Sequence, residues 1–132
     1  MKLWKRAGPV ALSLALCAGL VLPALAHTVT IDGKTDTVDT VQAGVNAIGA
    51  GTGTITMDRD DPVTGDGVKI SGGNVTLDLN GWAITNNDMN GTAITVEGGE
   101  LTIQDSGTGG TVKGKGGDGV SVTGGKATIT GG

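Results

Sequence analysis

The stretch Val68-Lys69-Ile70-Ser71-Gly72-Gly73-Asn74-Val75-Thr76-Leu77 returns twice at a fixed 26-residue offset, as Ile94 to Ile103 and as Val120 to Ile129. In register, four columns are apolar in every copy: Val68/Ile94/Val120, Ile70/Val96/Val122, Val75/Leu101/Ala127 and Leu77/Ile103/Ile129. Two columns are glycine throughout (Gly72/Gly98/Gly124 and Gly73/Gly99/Gly125), and one is threonine (Thr76/Thr102/Thr128). A repeat of this length cannot bury its own apolar face and does so by stacking on its neighbour, which is the logic of a solenoid.

Within each copy the side chains alternate, so Val68, Ile70, Val75 and Leu77 share one face and point inward. The paired glycines between the two short strands fit a corner with backbone angles unfavourable to a Cβ, or a close approach of the next coil. A third, less regular strand completes each turn, at Ala83-Ile84-Thr85 and again at Thr111-Val112-Lys113, with loops expected at Asn86 to Asn90 and Ser106 to Gly110. Three strands per turn in strict register describe an all-β fold, a parallel β-helix. A small antiparallel sandwich is the competing class, but its successive strands occupy unlike environments and would not keep such a register.

Working outward, Thr28-Val29-Thr30-Ile31 alternates as a strand and stops at the turn Asp32-Gly33. Val38, Val41, Val45 and Ile48 then fall on one stripe of a helix over residues 39 to 50, with Asp36 or Asp39 as its cap and Gly49 or Gly51 as its end. A solenoid needs a lid over its first coil, and this short helix is read as the N-terminal cap. Thr54-Ile55-Thr56-Met57 is the next strand, followed by the acidic run Asp58-Arg59-Asp60-Asp61.

Residues 1–26 read as a secretory signal: Lys2, Lys5 and Arg6, an apolar stretch from Ala7 to Leu22, and the small-x-small site Ala24-Leu25-Ala26. The stretch contains Gly8, Pro9, Ser13 and Gly19 and stops at Pro23, short of the roughly 20 residues of a membrane span. Cys17 follows the bulky Leu16, where a lipoprotein signal has a small residue. The expected organisation is therefore a signal over 1–26, an N-terminal strand and capping helix over 27–53, and β-helix coils over 54–132 that stop mid-repeat. The domain is expected to be secreted or held at the cell surface, without membrane insertion after signal cleavage.

Residues 27–132 contain no cysteine, so disulfides do not hold this domain. They carry six cations against thirteen acids, a net charge of −7, which leaves little attraction to nucleic acid or anionic lipid. With no Phe or Tyr and only Trp82, the core is expected to be a narrow channel of Val, Ile, Leu and Ala.

The segments Asn74 to Gly81, Gly99 to Gly107 and Gly124 to Ile129 resemble the repeats of right-handed parallel β-helix proteins of the pectin-lyase-like type, which recur in exported bacterial surface proteins. The resemblance covers roughly residues 37 to 132. It implies the fold; lyases, hydrolases, adhesins and passive stalks share it, so it does not imply an activity.

Carbohydrate cleavage needs a carboxylate pair, and Asp58, Asp60, Asp61, Asp66, Asp78 and Asp88 are available. The run Asp58, Arg59, Asp60, Asp61 is the catalytic candidate, superficially similar to the acidic pairs of polygalacturonases. The histidine-glycine and arginine-x-lysine motifs of that family are missing. Arg59, the one arginine after the signal, sits among acids and reads as part of a neutralised loop; acids elsewhere read as solubilising turn and outward positions. Gly114-Lys115-Gly116-Gly117-Asp118-Gly119 resembles a single unit of the glycine- and aspartate-rich calcium repeats, which makes Asp118 the calcium candidate, although the nonapeptide period is absent. Thr92 interrupts the column Asp66/Thr92/Asp118. His27 is the only histidine, which leaves no zinc set and no nucleophilic triad.

The threonine column is reminiscent of ice-binding faces. Its outward neighbours Asn74/Glu100/Lys126 and Asp78/Gln104/Thr130 are mixed and charged, so β-propensity suffices to explain it. Trp82 is the ligand-binding candidate, able to stack on a sugar ring. The expectation is a non-catalytic exported module without cofactor, adhesin-like or scaffolding, with glycans, surface proteins or end-to-end copies of itself as partners. The alternative is the N-terminal fragment of a polysaccharide lyase or hydrolase.

Overall fold

A computed structural model describes residues 26–132. The expected signal segment, except for Ala26, lies outside the described residues. The elements are β1 (His27–Ile31), β2 (Lys34–Val38), α1 (Val41–Ile48), β3 (Thr52–Thr56), β4 (Asp61–Val63), β5 (Val68–Ile70), β6 (Asn74–Asp78), β7 (Ala83–Gly91), β8 (Ile94–Val96), β9 (Glu100–Gln104), β10 (Thr111–Gly116), β11 (Val120–Val122) and β12 (Lys126–Ile129).

They form three sheets, ordered β12-β9-β6-β3-β1-β2, β10-β7-β4 and β11-β8-β5. Every contact between successive coils is parallel. The chain is thus a β-solenoid of about three turns, and the sandwich alternative is excluded. The register follows the apolar columns read from the sequence: Val68 lies beside Ile94 and Ile94 beside Val120, while Leu77 lies between Ile55 and Ile103. Each such column runs up the interior as a stack of like side chains, with Ile55, Leu77 and Ile103 all fully buried. Burial of these aliphatic side chains, at about 1.5–3 kcal/mol each, is what holds coil on coil.

The N-terminal end differs from a plain coil. Asp32 and Gly33, both with positive φ (52° and 78°), make the tight turn of a hairpin in which β1 pairs antiparallel with β2. Strand β2 was not expected from the sequence, because Lys34-Thr35-Asp36-Thr37-Val38 has no buried alternation to mark it and its side chains are almost all exposed. Strand β1 also pairs antiparallel with β3, so the hairpin closes one sheet of the first coil.

Helix α1 covers the same end, as expected, burying Val41, Gly44, Val45 and Ile48. Its cap is Thr40, not Asp36 or Asp39: the Thr40 hydroxyl accepts the Ala43 N–H at 3.0 Å. Gly49, at φ 59°, ends it and donates its N–H to the Val45 carbonyl. The helix also deals with the free edge of β5. The Gln42 side-chain amide accepts the Lys69 N–H at 2.7 Å and donates to the Lys69 carbonyl at 3.1 Å, standing in for the strand that the first coil lacks.

The β10-β7-β4 sheet departs most from expectation. Strand β7 continues through the segment read as a loop, to Gly91, and the acidic run supplies a strand of its own, β4. Asn86 makes the long strand possible. It is fully buried, its Nδ2 donates to the carbonyls of Gly65 and Thr92 at 2.8 Å each, and its Oδ1 accepts the Asp88 N–H at 2.9 Å.

Candidate functional site

The acidic run lies at the lidded end, where the first coil meets the cap. Its four members do different things. Asp58 is exposed, and its backbone N–H donates to Nδ1 of His27 at 3.2 Å. The Arg59 guanidinium donates to the Asp39 carbonyl at 2.7 Å, and among the described residues it forms no ion pair. The cation is thus bonded to backbone and not to a carboxylate. Asp60 accepts the Ala83 N–H at 2.9 Å, tying β7 of the next coil to the start of β4. Asp61 is buried, 5 % exposed, and its Oδ2 accepts the N–H of Val41 at 2.8 Å, the first residue of α1.

His27, the only histidine, is at the centre of this cluster. The imidazole is fully buried; Nε2 has no hydrogen-bond partner and lies 3.9 Å from Oδ2 of Asp61. Its pKa lies below the ordinary histidine value. Burial is the main cause, Arg59 adds to it, and the carboxylates of Asp61 and Asp58 oppose it.

A second set of carboxylates lies at and beyond the corner between the second and third strands of the middle coils. Asp78 was expected to face outward, but it is 7 % exposed. It accepts the N–H groups of Asn80 (3.0 Å) and Ser106 (2.9 Å) through Oδ1, with the Gln104 amide at 3.5 Å from Oδ2. Burial alone would push its pKa up, but the hydrogen bonds from Ser106, Asn80 and Gln104 outweigh that and hold it below the usual carboxylate value. One coil on, Asp105 accepts from Gly81 (2.7 Å), Gly107 (3.1 Å) and Gly110 (2.8 Å). Asp88 likewise accepts the Gly65 N–H at 2.8 Å. At the corner between β6 and β7, and at its counterpart between β9 and β10, the ladder of backbone bonds breaks and a carboxylate takes up the orphaned donors, in part from the neighbouring coil.

Asp118 is exposed and contributes its backbone carbonyl to Ala93 N–H at 3.1 Å. Asp66 is exposed and pairs with Lys69 at 3.5 Å, and Lys69 also reaches Glu97 at 3.6 Å. Among the described residues no group of three or more His, Cys, Asp or Glu side chains is arranged to hold a metal ion. Trp82 is 37 % exposed at the entrance to β7, with its backbone bonded to Leu79 and Thr111. The structure does not bring Trp82, Asp118 and the acidic run into one cleft through any hydrogen bond or ion pair among the described residues. The threonine column gains Thr54 at its start, in register with Thr76, Thr102 and Thr128.

The described residues include two hollows. A groove of about 440 Å³ runs between α1 and the β5–β8 sheet, bordered by Gln42, Asn46, Lys69, Ser71, Gly72 and Glu97. A more apolar hollow of about 350 Å³ lies at the terminal coil, against Leu79, Ile103, Val112, Val120 and Ile129.

No protein family, no curated protein and no solved structure matches this chain.

Proposed function

We propose that the chain is an exported, non-catalytic β-solenoid module of the pectin-lyase-like kind, an adhesin-like or scaffold segment that displays its corners and loops to surface glycans or proteins. One observation supports this reading above the others. In the acidic run that is the catalytic candidate, Asp60 and Asp61 are committed to different backbone donors, Ala83 N–H and Val41 N–H, so they serve the fold in two directions. Hydrolysis instead asks for two carboxylates facing one bond across about 5–9.5 Å. A lyase asks for a base beside a neutralising cation, and Arg59 is spent on the Asp39 carbonyl.

The test is turnover and binding in parallel. Purified protein incubated with polygalacturonate, pectin and a panel of glycans, with and without calcium, is expected to yield neither unsaturated products nor new reducing ends. Retention on an immobilised glycan, reduced by Trp82→Ala without loss of folding, is the expected positive result. Reproducible cleavage abolished by Asp60→Ala or Arg59→Ala would replace the module with an enzyme.

A further inference from the structure

The His27 cluster is built in a way the proposed module does not require. His27 opens β1 and lies opposite Val38 of β2. Its Nδ1 accepts the Asp58 N–H, so the neutral ring carries its proton on Nε2, the nitrogen without a partner. Oδ2 of Asp61, 3.9 Å away, is beyond hydrogen-bond range of it and accepts the Val41 N–H. The charged groups facing the ring are Asp58 and Arg59 from the connection before β4 and Asp61 from β4 itself; once residues 1–26 are removed, the α-ammonium of His27 joins them and adds to the cost of a charged ring. Val38 of β2 and Val41 of α1 bring no charge.

A second proton can enter only at Nδ1. There it meets the Asp58 N–H, donor against donor, and that bond is lost. Asp61 meets the new charge by closing the gap to Nε2, a movement that pulls on its bond to the first N–H of α1. Either movement loosens a tie between the cap and the first coil. We propose that His27 is an acid-operated latch: one proton on its imidazole releases the hairpin β1–β2 and the start of α1 from the first coil, while the coils behind stay stacked.

The direction in pH follows from burial. The closed state holds its histidine below the ordinary value of 6.5, so it binds fewer protons than the open state. The latch is fully closed above pH 6.5 and weakens as the pH falls from there towards the lowered value. With one proton involved, the opening equilibrium rises by up to about tenfold per pH unit across that window.

Because His27 is the only histidine, its ring proton can be followed by NMR without assignment, alongside amide hydrogen exchange of the strands. The expected result is a titration below 6.5, with amides of β1, β2 and α1 losing protection first and those of β6 and β9 unchanged over the same range. Asp61→Asn keeps an oxygen for Val41 and removes the charge that raises the histidine pKa, so it should move the titration further down. His27→Asn, neutral at every pH, should abolish the pH dependence of cap exchange. A histidine titrating at or above 6.5, or protection lost from all strands together, overturns the latch whether or not the variants fold.

Discussion

Alanine at Gly72 and alanine at Gly98 are the same substitution in the same column of the repeat, and the structure expects opposite outcomes. Neither glycine has a positive φ, so neither is required by backbone conformation. A Cβ at Gly98 would sit 2.7 Å from the Ser71 carbonyl oxygen and 3.3 Å from its carbon, atoms of the preceding coil. A Cβ at Gly72 would meet nothing within 4 Å, because the groove beside α1 occupies the place of a preceding coil. Gly124 repeats the Gly98 situation against the Glu97 carbonyl.

Gly72→Ala should therefore be neutral or stabilising by up to about 1 kcal/mol, through the narrowed unfolded ensemble. Gly98→Ala receives the same benefit but forces two backbones apart, an overpacking cost of about 1–3 kcal/mol. The gap between the two variants is that cost. For a domain of this size it corresponds to at least about 4 °C in Tm. Urea unfolding followed by far-UV circular dichroism, with thermal melts beside it, measures the gap. Equal destabilisation by both substitutions would refute the claim that coil-on-coil approach, and not the corner itself, demands glycine in this column.

Four further outcomes follow from the same contacts. Gly109→Ala, at φ 84° with open space around it, should cost about 1–2 kcal/mol for conformation alone, whereas Gly99→Ala adds a clash 2.5 Å from Gly72 and Gly73 backbone atoms and should cost more in the same unfolding assay. Thr40→Ala removes the helix cap and should cost about 1 kcal/mol, with the loss of exchange protection confined to α1. Leu101→Ala, at a site 1 % exposed, should cost about 2–5 kcal/mol in denaturant unfolding. Asp78 has its pKa held below the ordinary carboxylate value of 3.8, so its stabilisation is complete above that pH and is lost as the pH falls below it; Asp78→Asn should flatten this acid limb in melts recorded across pH 2 to 5.

Much of the fold was legible because periodicity is a property of the whole chain. The columns Val68/Ile94/Val120 and Leu77/Ile103/Ile129 must be in register if coils stack, and they are. The helix was legible from its 3.6-residue stripe, and its lid role from the need to cover Ile55 and Val29. Strand β2 was not, because an exposed edge strand carries no burial pattern. The long course of β7 was hidden as well: Asn86 to Asn90 reads as a polar loop, and only the buried amide of Asn86, bonded to Gly65 and Thr92, explains why the chain stays extended there. His27 was passed over for being single. A lone histidine gives no metal or triad pattern, and its burial arises from the hairpin that the sequence did not reveal.

The carboxylates were the least legible part, and the reason is geometric. A three-sided coil must turn at corners where backbone N–H groups point away from the ladders, and each corner recurs one coil later, some 24 to 28 residues along the chain, as in Gly81 with Asp105 and Ser106 with Asp78. A short side chain with two acceptor oxygens can serve donors in its own corner and in the adjacent one together, as Asp78 and Asp105 do, which neither serine nor glutamate achieves as compactly. Much of the acidity of this chain is then a consequence of turning corners. Read as residue types, Asp60, Asp78 and Asp88 look like members of catalytic pairs; read in register, they fasten one coil to the next, as Asp105 does.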